Sequence, residues 1–224
     1  MATAGIQAIL LAGGKSSRFN TETTKLSFTL CGQEIIAYPT KLLAQMNIPT
    51  TLVVGFQKEV LKKIIADHNI THISFVEQKE QRGTGHALLC TKDFWHAENI
   101  LVMNADIPLI NQESIEALIT KHTTEQATLT FITSQSSDPA ASGYGRVIQN
   151  NDTIEIVEEK HYAGEHATFP IINAGIYIIN RAFLESAIKQ LQPNEVSQEI
   201  YITDLIKLAS TTNKKVATSF ALFD

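Results

Sequence analysis

From Ile6 to Thr133 the chain alternates short apolar runs with segments of helical spacing, and this alternation restricts the fold more than any other feature. Ile6–Ala12, residues 51–54, 73–76, Asn99–Asn104 and residues 127–133 have the length and apolar character of buried strands. Helical segments separate them: residues 57–67, with Val60, Leu61, Ile64 and Ile65 on one face, residues 85–94, and residues 113–122, with Ile115, Leu118 and Ile119 inward. A helix between two strands of one sheet returns the chain to the same end, so the strands run parallel. The pattern changes after about residue 135. Residues 144–149 and 153–158 read as two short strands around the turn Asn150-Asn151-Asp152. A strand over 171–179, helices over 182–190 and 202–210, and a last strand over 216–222 follow. This reads as an α/β fold: a Rossmann-like, mainly parallel sheet with helices on both faces and a small β-rich insertion over about 136–172. No linker rich in Pro, Gly or Ser interrupts residues 1–224, so a single domain is expected.

Hydrophobic residues make up 44% of the 224, enough for a substantial core. A net charge of −5 argues against broad binding to nucleic acid or to anionic membranes. Cys31 and Cys90 stand far apart without metal-type spacing, which points to reduced thiols and a cytoplasmic protein. The first apolar run is too short for a signal sequence or a membrane span. His68 and His72, and His161 and His166, lack partners at zinc spacing and read as surface histidines.

Ligands of open α/β sheets bind beyond the C-terminal ends of the strands. Four unusual segments fall at such ends: residues 13–18, 78–86, 104–108 and 173–175. Gly13-Gly14-Lys15-Ser16-Ser17 looks like the tail of a Walker A loop, but the position that needs the first glycine is Ile9. The segment is therefore a phosphate site of another kind or an ordinary strand-to-helix turn. Adjacent glycines let backbone N–H groups approach a ligand, and Lys15 and Arg18 add charge. Asp106, just past a buried run, can hold Mg²⁺, which takes one or two protein carboxylates plus phosphate oxygens; a turn aspartate before Pro108 is the plainer alternative. Residues 81–86 open a helix beside Gly83 and Gly85, where a base or phosphate fits. Lys25 and Arg18 can stabilise charge during phosphoryl or nucleotidyl transfer. Glu158 and Asn173 can bind sugar hydroxyls. No Ser/His/Asp set and no activated nucleophile stands out. The residues fit direct displacement between two bound phosphorylated substrates.

Taken in order, these elements resemble the sugar-phosphate nucleotidyltransferases. They are most similar to the uridyltransferase domain of the bacterial bifunctional N-acetylglucosamine-1-phosphate uridyltransferase/glucosamine-1-phosphate acetyltransferases. The resemblance rests on Leu11-Ala12-Gly13-Gly14-Lys15 with Arg18, Lys25, Gln78, Gly83-Thr84-Gly85-His86-Ala87, Asp106-Ile107-Pro108, Gly143-Tyr144-Gly145-Arg146-Val147, Ile156-Val157-Glu158, Asn173-Ala174-Gly175 and Tyr201-Ile202-Thr203-Asp204. It implies a nucleotide-diphospho-sugar transferase fold. It implies that Leu11, Ala12, Gly13, Gly14 and Lys15 wrap the triphosphate, with Arg18 and Lys25 catalytic at the α-phosphate. Gln78, Gly83 and Thr84 would contact uracil, and Asp106 would bind Mg²⁺. Asn104, Ala105, Gly143, Glu158 and Asn173 would form the sugar site. The implied substrates are UTP and N-acetylglucosamine 1-phosphate, without nucleic-acid or membrane partners.

The sequence also departs from the family. Gly13 stands where a second alanine is usual, a start shared with molybdenum-cofactor guanylyltransferases, Ser16-Ser17 and Phe19 stand where Gly-Thr and Met are usual, and Asn104-Ala105 where Tyr-Gly is usual. The chain ends at Asp224, before the V-x-G-V-N-N segment that carries the family's second metal ligand. The expectation is a nucleotidyltransferase domain with no β-helix acetyltransferase domain, consistent with a monomer. A transferase for another base or acceptor, and a non-catalytic nucleotide-sugar binding module, are the alternatives. Tyr201–Asp204 is read as packing and capping.

Overall fold

The computed structural model describes residues 3–14, 23–135, 143–150, 153–158, 161 and 170–222; Lys15 and Arg18 lie outside them. In chain order the elements are β1 (Ile6–Ala12), the hairpin strands β2 (Thr29–Leu30) and β3 (Gln33–Glu34), α1 (Ala37–Gln45), β4 (Thr50–Val54), α2 (Lys58–Asp67), β5 (Ile73–Glu77), α3 (Thr84–Cys90) and β6 (Asn99–Asn104). Then come α4 (Gln112–Thr124), β7 (Leu129–Gln135), β8 (Arg146–Asn150), β9 (Thr153–Val157), β10 (Ile171–Asn180), α5 (Arg181–Ala187), α6 (Asp204–Thr211) and β11 (Val216–Phe220).

Strand β1 sits inside the sheet, parallel to β4 on one side and β6 on the other. The main order is β11-β7-β10-β6-β1-β4-β5. Along this order β10, alone among the described strands, runs against its neighbours β6 and β7, and β8 and β9 add antiparallel pairs beside it, so the sheet is mixed but its main order is mostly parallel, as the β-α alternation predicts. Alternation along β1 divides its side chains between two cores. Ile6, Ala8 and Leu10 join residues of α1, α2 and α4, such as Leu43, Leu61 and Leu118. Ile9 faces the other way with residues of α3, α5 and α6, such as Leu88, Leu184 and Leu205. Each of the large ones, such as Ile9, Leu10 and Leu88, contributes about 1.5–3 kcal/mol when taken fully from water. These helices therefore clamp β1 from both faces, and the glycines that follow it emerge at a fixed place.

The sequence reading misses α1 and the β2–β3 hairpin entirely. Pro39 falls in the first turn of α1, where a missing N–H costs nothing, so it does not mark a break. The helix expected over 85–94 is shorter: it stops at Cys90, and a 3-10 turn covers Lys92–Phe94. The hydroxyl of Thr91 donates to the Leu88 carbonyl at 2.7 Å and accepts from the Trp95 indole N–H at 2.9 Å, which fixes the break. Among the described residues no helix is long and apolar enough to cross a membrane.

One buried polar group ties α4 to the sheet. His122 is 3% exposed, and its Nε2 lies 3.1 Å from Asn99 Oδ1. That oxygen can only accept, so Nε2 carries the proton and Nδ1 accepts from the Thr130 hydroxyl at 2.9 Å. Burial pushes the imidazole pKa down to about 4, from 6.5. The unfolded chain therefore takes up this proton first. The stabilisation is complete above pH 6.5 and is lost as pH falls toward 4. The expected loss approaches about 3 kcal/mol. Urea titrations across this window should give a flatter pH dependence for His122→Gln than for wild type. Equal slopes would rule out His122 as the titrating group.

Candidate active site

The first side of the site begins where β1 ends. Gly13 and Gly14 follow Ala12, and the Gly13 carbonyl accepts from the Phe56 N–H at 3.4 Å. Gln78 follows β5 and is anchored by its own N–H on the Val54 carbonyl at 2.7 Å. A cavity of about 580 Å³ opens here, bordered by Leu11–Gly14, Gln78, Gly83 and Thr84, with Lys25 and Asp106 also on its wall. Gly83 adopts φ +95°, and a Cβ there would stand 2.4 Å from the Ile200 carbonyl oxygen. The close approach has a purpose. Ile200 N–H donates to the Arg82 carbonyl, and Gly85 N–H donates to the Ile200 carbonyl, both at 2.8 Å. Ile202 N–H adds a bond to Thr84 Oγ1 at 3.1 Å. Residues 82–85 are thus laced to residues 200–202.

The second side comes from a fork in the sheet. One edge of β10 pairs with β8 at Ile172 and with β6 from Ile176 onward. Between the two partners lie Asn173, Ala174 and Gly175, and the register against β7 shifts across this stretch. Gly175 has φ +74°, and Asn104 Nδ2 sits 2.4 Å from where its Cβ would be. The fork borders a cavity of about 730 Å³ that reaches Glu158, Asn173, Tyr201 and Thr203. Asn173 is oriented from both ends of its amide: Nδ2 donates to the Tyr177 hydroxyl at 2.7 Å, and Oδ1 accepts from Gly175 N–H at 3.2 Å. Burial holds the Tyr177 phenol well above its usual range, so it stays protonated. Thr203 is the N-cap of α6 but makes no capping bond. Its hydroxyl donates instead to Glu158 Oε1 at 2.7 Å.

The cavities share Thr84, Asn104, Asp106, Gly143, Tyr144, Glu199 and Tyr201. On this boundary the Lys25 ammonium pairs with Asp106 Oδ2, both side chains about one-third exposed. Lys25 is presented by a 3-10 turn over Lys25–Ser27 whose Leu26 is buried. The described residues contain no cluster of three or more His, Cys, Asp or Glu able to hold a metal. The donor set nevertheless fits a hard cation such as Mg²⁺, because Asp106 offers one carboxylate beside a cavity large enough for the phosphates that supply the other oxygens.

Of the residues singled out in the sequence, Leu11, Ala12, Gly13, Gly14, Lys25, Gln78, Gly83, Thr84, Asn104, Asp106 and Gly143 border the first cavity. Glu158 and Asn173 border the second. Ala105 borders neither: it is 1% exposed and packs in the core, while its N–H donates to the Leu11 carbonyl at 3.0 Å. Lys15 and Arg18 lie outside the described residues. Tyr201 and Thr203, read from sequence as packing and capping, stand on the cavity wall. They stand on a turn that leads into α6, so no strand-like alternation marked them in the sequence.

The lacing at Gly83 gives a direct test. Gly83→Ala forces a methyl onto the Ile200 backbone at positive φ and is expected to destabilise by at least about 2 kcal/mol. Gly14→Ala, whose added methyl meets nothing within 4 Å, should cost less than about 0.5 kcal/mol. Urea midpoints of the two variants against wild type check both values.

A family model described as nucleotidyl transferase matches residues 7–222. The bifunctional protein GlmU of Geotalea daltonii is 34% identical over 99% of this chain, and that of Clostridium perfringens 31% identical over 97%. The chain spans 48% of the length of each. Among solved structures, a UDP-glucose pyrophosphorylase complexed with UDP-glucose has a TM-score of 0.76 at 20% identity, over 95% of this chain and 89% of that one. An inositol-1-phosphate CTP transferase from T. maritima has a TM-score of 0.74 at 18% identity, over 99% and 87%. At these identities the likeness to both speaks for the fold. Together with a family match along nearly the whole length, it places this chain in the nucleotidyl transferase family.

Proposed function

We propose that this chain is the uridyltransferase that joins UTP to N-acetylglucosamine 1-phosphate, releasing pyrophosphate and forming UDP-N-acetylglucosamine with Mg²⁺. The observation that carries this reading is the pair of adjoining cavities that meet at Asp106, one beside the Gly13-Gly14 turn and the other beside Glu158 and Asn173. Two phosphorylated substrates, one in each, would bring their phosphates together at that boundary. The likeness to bifunctional GlmU proteins favours uracil and an amino sugar among the members of the family.

The chemistry needs no protein nucleophile. The sugar phosphate is already an anion at neutral pH. One of its oxygens forms the new bond to the α-phosphorus of UTP while the bond to the bridging oxygen breaks, and pyrophosphate leaves with that electron pair. Positioning and electrostatic stabilisation are then the protein's tasks. Gly13 and Gly14, with Lys15, would line the triphosphate, and Gln78, Gly83 and Thr84 the uracil. Arg18 and Lys25 would meet the charge that develops on the α-phosphoryl group. Asp106 would hold Mg²⁺, which supplies further charge neutralisation on the phosphate oxygens. Glu158, oriented by Thr203, would accept from sugar hydroxyls, and Asn173, Asn104 and Gly143 would complete that pocket.

Pyrophosphate release with Mg²⁺ and N-acetylglucosamine 1-phosphate is expected with UTP and at most weakly with dTTP, CTP or GTP. Release with a different nucleotide would move the assignment within the family. Binding of the UDP-sugar without turnover would make the chain a binding module. Arg18→Ala and Asp106→Asn are each expected to lower kcat at least about a hundredfold. Asp106→Asn should leave stability within about 1 kcal/mol, because its ion pair with Lys25 is partly exposed. Near-normal turnover in Asp106→Asn would remove Asp106 from the metal role.

A further inference from the structure

We infer that His86 is a positioning residue for base selection, fixing the amide of Gln78 so that only its oxygen is offered to the nucleotide base. The inference rests on the reading of the first cavity as the nucleotide side.

Gln78 borders that cavity, yet the residue is only 4% exposed, so the amide hydrogens turned inward must find partners inside the protein. Nε2 lies 3.1 Å from the Gly83 carbonyl oxygen and 3.2 Å from His86 Nδ1. An amide nitrogen has two hydrogens, and these two acceptors take both. The oxygen points the other way, toward the first glycine loop: a Cβ on Gly13 would stand 2.7 Å from Oε1. Turning the amide over would set Oε1 against the Gly83 carbonyl and would require the ring proton to move from Nε2 to Nδ1. For Nδ1 to accept, the ring proton must sit on Nε2, which faces Cys90 Sγ at 4.0 Å, a weak acceptor. His86 thus enters through its tautomer, from behind Gln78, without itself bordering the cavity.

The consequence is chemical selectivity. At the middle of its pairing edge a uracil ring presents N3–H, a donor, whereas a cytosine ring presents a bare N3, an acceptor. A fixed Oε1 matches the first and repels the second. An amide free to turn matches either. Gly83 alone leaves one hydrogen of a buried amide without an acceptor, which weakens the preference for one orientation. Two histidine-independent restraints, the Gly83 carbonyl and the anchored Gln78 backbone, remain, so the effect of losing His86 is on discrimination more than on turnover.

The test compares kcat/KM for UTP and CTP, each with Mg²⁺ and N-acetylglucosamine 1-phosphate, in wild type, His86→Leu and His86→Asn. In His86→Leu the UTP/CTP ratio is expected to fall about five- to tenfold, the worth of one buried hydrogen bond, chiefly through a higher KM for UTP and a lower one for CTP. His86→Asn keeps an acceptor on the same side chain and should restore most of the ratio. A ratio within one preparation does not depend on the fraction folded, so a variant that folds poorly still reports. An unchanged ratio in His86→Leu, with wild type preferring UTP, overturns the positioning role and leaves the proposed function standing. Loss of selectivity in both variants alike also overturns it, since the acceptor would then be irrelevant. A wild-type chain that turns over neither nucleotide and binds neither overturns the proposed function, and this inference with it.

Discussion

The site depends on a single change of hydrogen-bond partner. Strand β10 pairs with β7 along one edge, but on the other edge it passes from β8 to β6 within a few residues. A strand cannot serve two partners at one position, so the sheet must part there, and the gap is where Asn173 and Gly175 stand. The polar groups that the parting exposes are absorbed locally. Gly175 N–H turns onto the Asn173 side chain, and the Asn173 amide turns onto a buried tyrosine hydroxyl. What would be a defect in a continuous sheet becomes a polar-lined cleft next to the C-terminal end of β6, where Asp106 follows.

A second set of bonds decides that the two cavities act as one site. Residues 200–202 bond to residues 82–85, and the next residue, Thr203, bonds Glu158. The same short segment therefore braces both the first and the second cavity. Thr203 gives up its capping bond to do so, which leaves the start of α6 without that support. Asp204, half-buried at that helix start, has its carboxyl pushed up by burial.

Much of the fold can be read from apolar period alone, and β1, β6 and α2 show why. Each has a face or run whose burial is dictated by composition, so local pattern and tertiary packing agree. The β2–β3 hairpin and α1 are not legible because short strands carry little periodic signal and Pro39 imitates a break. Singly, the glycine-rich turns and Asp106 are ordinary turn residues; they stand out because several such segments fall together at the C-terminal ends of strands. Tyr201 and Thr203 do not, because a tyrosine and a threonine before a helix are ordinary packing and capping residues until the fold sets Glu158 beside them. Ala105 shows the converse. Its neighbours in sequence face the cavities, but alternation turns its own side chain into the core. Base choice is the least visible of all, because a UDP-glucose pyrophosphorylase and an inositol-1-phosphate CTP transferase share this fold, so the fold alone does not set it.

The bond from Ile202 to Thr84 spans 118 residues of chain. Closing a loop of that length is entropically costly, and contacts so remote in sequence form late in folding. During synthesis, β1, β4, β5 and β6 can assemble while the segment that completes the first cavity is still inside the ribosome. The nascent protein would thus own a formed sheet before it owned a formed pocket, and affinity for nucleotide would appear only with the last portion of this chain.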